Sequence, residues 1–243
     1  MSLPEAGKLV AALDATWPAL TTHRQDGWVL RDGAGGGKRV SAASPMREDA
    51  PVEVAEDWMR ARGQTPLFRL GAADSALDAV LTGRGYRLLD PTRIYAGDAE
   101  TLARKPGHVQ LFNIWPPLAI MRDIWAEGGI GAQRLAVMGR AGAPKTGFVA
   151  RIEDRAAGVA FCALHEGIAM LHAIEVLPHM RRKGVGALIV QGAAWWAQTQ
   201  GAHTLALAVT DANTGACALY ERLGMQVCTR YHYRAGDERE GLQ

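Results

Sequence analysis

In the second half of the chain, apolar positions gather into three stretches, 147–153, 157–165 and 168–176, separated by short polar or glycine-bearing turns. Apolar runs of this length bounded by turn residues read as strands. A helix over "PPLAIMRDIWAEGG" precedes them. After them the pattern predicts a helix at 184–200, a strand "HTLALAV" at 203–209, a helix near 214–223 and a strand at 225–234. Antiparallel strands followed by strand–helix–strand–helix–strand imply a mixed sheet with helices packed on it, an α/β fold class of α+β type.

The first half is patterned differently. "MSLPEAGKLVAALDATWPAL" is interrupted by Glu5, Lys8 and Asp14, so it predicts an amphipathic helix and no signal peptide. "DGWVLRDGAGGGKRVSAASP" (26–45) predicts a strand, a Gly-rich turn and a second strand. A helix ending at Gly63, a short strand "PLFRLG", and a helix closed by Gly85 before another strand complete this half. Residues 98–110 lack periodicity, and the domain boundary is placed there, giving domains 1–105 and 106–243. One local echo links the halves: "AVLTGRGYRLLDPTRIYAG" aligns on "ALYERLGMQVCTRYHYRAG", each helix into Gly into strand.

Composition narrows the function classes. With 243 residues, 48% of them apolar, the chain can fill a sizeable core. A net charge of +2 gives no global pull toward nucleic acid or an anionic membrane. Three cysteines without a CxxC suit a reducing cytoplasm better than a disulfide framework. No stretch approaches the roughly 20 apolar residues of a membrane span. The expectation is a cytoplasmic protein, monomer or homodimer, with no nucleic-acid or membrane partner.

The stretch "LPHMRRKGVGALIV" (177–190) carries candidate chemistry. A helix N-terminus holds roughly half a positive charge, which disfavours Arg181, Arg182 and Lys183 there and favours an anion. Gly184 and Gly186 each lower helix propensity by about 1 kcal/mol relative to Ala. They are explained by unusual dihedrals or by close approach to the backbone. Free N–H groups, a helix dipole and flanking cations form a site for a phosphate-like ligand. Other signatures fail. "GAGGGKR" (33–39) has Arg39 where a Walker loop needs Ser or Thr, and reads as a hairpin turn. "HEGIA" (165–169) lacks the second histidine of HExxH, so no metal is expected.

Arg181-x-x-Gly184-x-Gly186 resembles the (Q/R)-x-x-G-x-(G/A) loop of the GNAT superfamily of acyl-CoA-dependent N-acyltransferases. "NTGACALYERLGM" (213–225) is similar to that family's later signature, with Asn213 and Tyr220. The resemblance covers about 110–243. It implies a GNAT fold there, acetyl-CoA as cosubstrate, and direct attack of a small-molecule or protein amine on the thioester. Residues 1–105 would then be a degenerate GNAT-like or accessory domain, with Leu81 where Tyr220 falls. The alternative is a non-catalytic acyl-CoA-binding sensor or scaffold.

By the same resemblance, the backbone of Arg182, Lys183, Gly184, Val185, Gly186 and Ala187 would hold the CoA pyrophosphate, with Arg181 as an orienting charge. Ile174, Glu175 and Val176 would pair with the pantetheine amides, and the Val176 N–H would polarise the thioester oxygen. Tyr220 would protonate the departing thiolate, and Asn213 would cap its helix or touch the cofactor. The base is less defined. Ala208 stands where some relatives carry a Glu on the fifth strand. Period-two alternation puts His172, Ile174 and Val176 on one face and Glu175 on the other unless a bulge intervenes, which favours His172 over Glu175 as base or water-holder. Cys217 and Cys228 are expected to pack as small apolar groups. The acceptor amine is not specified by any of these residues.

Overall fold

A computed structural model of the protein describes residues 2–107 and 109–236. In chain order the elements run α1 (Ala6–Thr16), β1 (Thr21–Gln25), β2 (Trp28–Asp32), α2 (Lys38–Ser41), β3 (Ser44–Pro45), α3 (Val52–Arg60), β4 (Leu67–Gly71), α4 (Ser75–Gly83) and β5 (Arg87–Asp98). They continue as α5 (Ala99–Leu102), β6 (Leu111–Ile114), α6 (Ala119–Glu127), α7 (Ala132–Arg140), β7 (Lys145–Ile152), β8 (Arg155–His165) and β9 (Ile168–Val176). The last four are α8 (Val185–Thr199), β10 (Thr204–Thr210), α9 (Thr214–Arg222) and β11 (Gln226–Ala235).

Contacts divide the chain into two compact units. One gathers residues up to Pro18 with Ile94–Val209 and Asn213–Cys228; the other gathers Ala19–Arg93, Thr210–Ala212 and the chain from Thr229. Helix α1, from the first sequence segment, therefore packs within the unit that holds most of the second.

In the first unit, β6, β7, β8 and β9 pair antiparallel in that order, and β10 joins β9 in parallel, a mixed sheet as the strand pattern predicted. Glycines set how closely helices approach it. A side chain at Gly158 of β8 would collide with Val185 and Ile189, so α8 lies on that face. A side chain at Gly147 of β7 would meet Met121 and Trp125, so α6 lies on the other. Beneath α8 the core contains Phe148, Ala160, Cys162, Leu171, Ile189, Val190 and Trp196. Trp196 is buried edge-on to Phe148, while Trp195 is exposed.

The second unit has its own core around Trp28, Leu30, Phe68, Leu70 and Leu81. β1 and β2 form a hairpin, and β2 also pairs antiparallel with β3. The predicted Gly-rich turn does join two antiparallel strands, but it contains the single-turn helix α2. Lys38–Ser41 form this helix where the sequence predicts only turn running into strand, and β3 is shortened to Ser44–Pro45. Helix α7 and strand β6 also had no counterpart in the sequence pattern.

Candidate functional site

Strand β9 leads into the site. Its parallel pairing with β10 runs from Ile168↔Thr204 to Leu171↔Leu207 and stops there. On its other edge β9 stays paired with β8 as far as Val176↔Gly158. Residues 172–176 thus continue the strand beyond the reach of its parallel neighbour, with backbone amides of Ile174, Glu175 and Val176 past the split.

The register along β8 contains a bulge. Phe161 pairs with His172 and Val159 with Glu175, so two residues, Ala173 and Ile174, stand opposite Ala160. Ala173 has φ +49°, a left-handed conformation that costs an L-residue roughly 1–2 kcal/mol. The bulge reverses the expected alternation. Ile174 and Val176 pack on the core under α8, while Glu175 comes to the same face as His172. The expectation that Ile174 and Val176 share the His172 face is corrected accordingly.

His172 is buried, with its ring beside Trp17 and stacked on Phe161. Its Nε2 lies 2.8 Å from Thr16 Oγ1, and that hydroxyl donates to the Ala12 carbonyl at 2.6 Å. A threonine hydroxyl has one proton to give, so toward the imidazole it accepts, and His172 carries its proton on Nε2. Glu175 is about a quarter exposed (23%), with Oε1 3.7 Å from Arg181 Nη2. Burial pushes its carboxyl above the ordinary glutamate range, and the Arg181 guanidinium partly offsets this. Gly128, just past α6, leaves room for it: a side chain there would come within 2.5 Å of the carboxyl carbon. Trp125 of α6, fully buried, donates its indole N–H to the Ala173 carbonyl at 2.8 Å.

After β9 the chain turns through the single 3₁₀ turn Pro178–Met180 into residues 181–184, all exposed. Arg182 has φ +64° and Gly184 φ +83°, a conformation that fits glycine. No side chain caps the first turn of α8. Val185 is buried, and Gly186 and Ala187 are partly so. The two loop glycines serve different ends. A side chain at Gly184 would meet nothing, so its dihedral is the requirement; one at Gly186 would strike Leu219 of α9 at 2.8 Å, so Gly186 admits α9. Arg181 donates from Nε to the Val176 carbonyl at 3.2 Å, tying the loop to the end of β9.

Asn213 caps α9, its side chain accepting from the Ala216 N–H at 3.2 Å. Tyr220, one residue from Leu219, is buried in the core under α8 with its ring 5.7 Å from that of Tyr95. Burial, with Cys217 and Tyr95 adding, holds its phenol well above the usual range, so it keeps its proton at neutral pH. The sheet separates Tyr220, on the α8 side, from His172 and Glu175 on the α6 side. Cys162, Cys217 and Cys228 form no disulfide. Burial pushes the Cys162 and Cys228 thiols up, which disfavours the thiolate a nucleophile needs.

Sequence reasoning missed Thr16, Trp17, Trp125 and Gly128. All four lie in segments that the sequence marks only as helical, with no motif to single them out. Among the described residues no helix is long and apolar enough to cross a membrane.

Two family profiles match in tandem. Residues 112–225 match the acetyltransferase (GNAT) family, and residues 5–105 match a family described as probable histone acetyltransferase Rv0428c C-terminal. An uncharacterized N-acetyltransferase, YobR, from Bacillus subtilis is 24% identical over 232 residues, 90% of this chain and 94% of its own. The streptothricin acetyltransferase of Streptomyces lavendulae is 30% identical over 138 residues, 54% of this chain and 66% of its own. Among solved structures, a GCN5-related N-acetyltransferase from Kribbella flavida shares the fold with a TM-score of 0.74 at 15% identity, covering 99% of this chain and 98% of that one.

Proposed function

The chain belongs to the GNAT family of acetyltransferases through residues 112–225, and from that premise we propose that it moves an acetyl group from acetyl-CoA to a primary amine. The observation that carries this reading is the end of β9–β10 pairing at Leu171↔Leu207, beside a loop that enters α8 through Gly184 in a left-handed conformation. When bound, acetyl-CoA supplies an activated carbonyl and a good leaving group.

The residues of this chain do the rest. Backbone N–H groups from Arg182 to Ala187, at the positive end of α8, hold the pyrophosphate, and Arg181 adds charge. The strand edge at Ile174, Glu175 and Val176 accepts the pantetheine as an added strand, and the Val176 N–H polarises the carbonyl oxygen. Tyr220 donates its proton toward the departing sulfur, whose thiol has an ordinary pKa of about 8.5. Asn213 fixes the helix that carries it.

Glu175 is the group we assign as base or water-holder. It shares a face with His172, reaches solvent where His172 does not, and has a carboxyl raised toward the range in which a base works. His172, with Nε2 committed to Thr16, is assigned as its buried neighbour in proton handling. Residues 1–105 act as an accessory, degenerate GNAT-like domain, and 106–243 as the catalytic one. The acceptor is a small-molecule or protein amine met in the cytoplasm.

Release of free thiol from acetyl-CoA across a panel of polyamines, amino acids, aminoglycoside- or streptothricin-type antibiotics and peptides tests the reading. Amine-dependent release with at least one of them is expected. CoA binding without release from any would return the chain to a sensor role.

A further inference from the structure

The bulge in β9 decides where Glu175 faces, yet Ala173 is poorly suited to it. At φ +49° its Cβ crowds the backbone, and a glycine would hold the same conformation freely. Something outside the strand must keep it there. The Ala173 carbonyl accepts one hydrogen bond at 2.8 Å, from the indole of Trp125, a side chain with no solvent exposure. Trp125 is itself fixed from below, because Gly147 of β7 lets α6 settle close to the sheet, 3.6 Å from the Trp125 ring at a would-be side chain. One turn on, Gly128 opens the space that the Glu175 carboxyl fills. A single helix end therefore pins the bulge and accommodates the group that the bulge redirects.

We propose that Trp125 is a positioning residue for the acetyl-transfer site, its indole N–H holding the β9 bulge that turns Glu175 to the reacting face. The inference rests on the reading of Glu175 as base, but the bulge itself can be read without it. Without the tether the bulge loses its stabilising hydrogen bond, and a partly buried carbonyl loses that donor. Strand β9 then relaxes toward regular alternation, which would carry Glu175 to the α8 face.

The test uses the full chain. Trp125→Phe keeps a ring in place and deletes the N–H. Replacement of Trp125 by the benzothienyl analogue of tryptophan keeps the whole bicycle and exchanges only N–H for sulfur, in case the phenyl ring packs too poorly to fold. Either variant is expected to lower kcat by about tenfold, the effect of one hydrogen bond. Amide exchange across residues 172–176 should speed up. Adding Ala173→Gly removes the strain that required the tether, so the double variant should recover kcat to within about twofold and restore slow exchange.

Unchanged exchange in both single variants overturns the proposal. So does a loss of rate that Ala173→Gly fails to recover, since that marks Trp125 as packing alone. Glu175→Gln, measured alongside, separates the two levels. If it leaves the acidic limb of the rate profile intact, the base assignment falls, while the exchange data still decide whether Trp125 holds the bulge.

Discussion

The chain makes the same turn twice and uses it for different purposes. Two residues past α4 the chain turns at Gly85 (φ +83°), and two past α9 at Gly224 (φ +87°). In each, the residue after the glycine reaches back to a carbonyl five positions earlier: Tyr86 N–H to Leu81, and Met225 N–H to Tyr220, both at 3.0 Å. Leu81 and Tyr220 are thus equivalent in hydrogen-bond register. Leu81 is buried among apolar side chains such as Phe68, whereas Tyr220 brings a hydroxyl into the core under α8. The helices that precede them diverge further. Helix α8 begins at Gly184 after Arg181, Arg182 and Lys183, with N–H groups at its first turn. Helix α3 begins at Pro51, which has no N–H, after Glu48 and Asp49. A helix entrance of the second kind repels phosphate. Backbone geometry is shared at this turn, and the side chains placed on it differ.

The sharpest way to break that contrast is a pair of substitutions at the equivalent positions. Tyr220→Phe removes only the hydroxyl, and kcat should fall about 10²–10⁴-fold with CoA affinity and thermal stability nearly unchanged. Leu81→Ala should do the opposite, lowering unfolding free energy by about 2–5 kcal/mol in denaturant titration while the rate per folded molecule holds. An equal loss of rate in both would end the distinction between an acid and a core residue.

Gly184→Asp comes next in size. It places a carboxylate where the loop would hold phosphate, and calorimetry should show at least tenfold weaker CoA binding, about 1.4 kcal/mol. In the unaltered chain the same titration should give one CoA per chain, because only α8 begins with a loop suited to it. A stoichiometry of two would give the α3 entrance a function this contrast denies it.

The smallest effect concerns Arg181. Its charge lowers the Glu175 carboxyl against the upward push of burial. Removing it in Arg181→Ala raises that carboxyl further, and a base must be deprotonated to act. The acidic limb of the kcat/KM profile should therefore move to higher pH, and only slightly for a charge this exposed. A shift toward lower pH would contradict the assignment of Glu175.

Most of the fold was legible because strands β7, β8 and β9 and helices α8 and α9 carry strong apolar patterns bounded by glycine or polar turns. The geometry of the loop at 181–186 was legible because its glycines and arginines are local. Helix α7 was not: "AQRLAVMGR" buries only Val137 and Met138, too few apolar positions to set a period. The facing of Glu175 was not legible for a different reason. Nothing in "LHAIEV" announces a bulge at Ala173, since the left-handed residue is not a glycine and the hydrogen bond to it comes from Trp125, 48 residues earlier. Periodicity reports what a strand does alone. It is silent where a distant helix bends the strand.

Helix α1 has a consequence for how the molecule is made. It is synthesised well before β9, and Thr16 meets His172 across a separation of 156 residues. At elongation rates of about 5–20 residues per second, roughly ten to thirty seconds pass before β9 emerges. Closing a loop of that length costs about 4–5 kcal/mol in chain entropy, to be offset by burying Leu9, Leu13 and Trp17 together. During that interval the apolar face of α1 waits without its native partners. Once docked, it staples Thr16 to β9, the strand that leads into the loop at 181–184, so a nascent chain cut short before residue 172 leaves α1 without that partner.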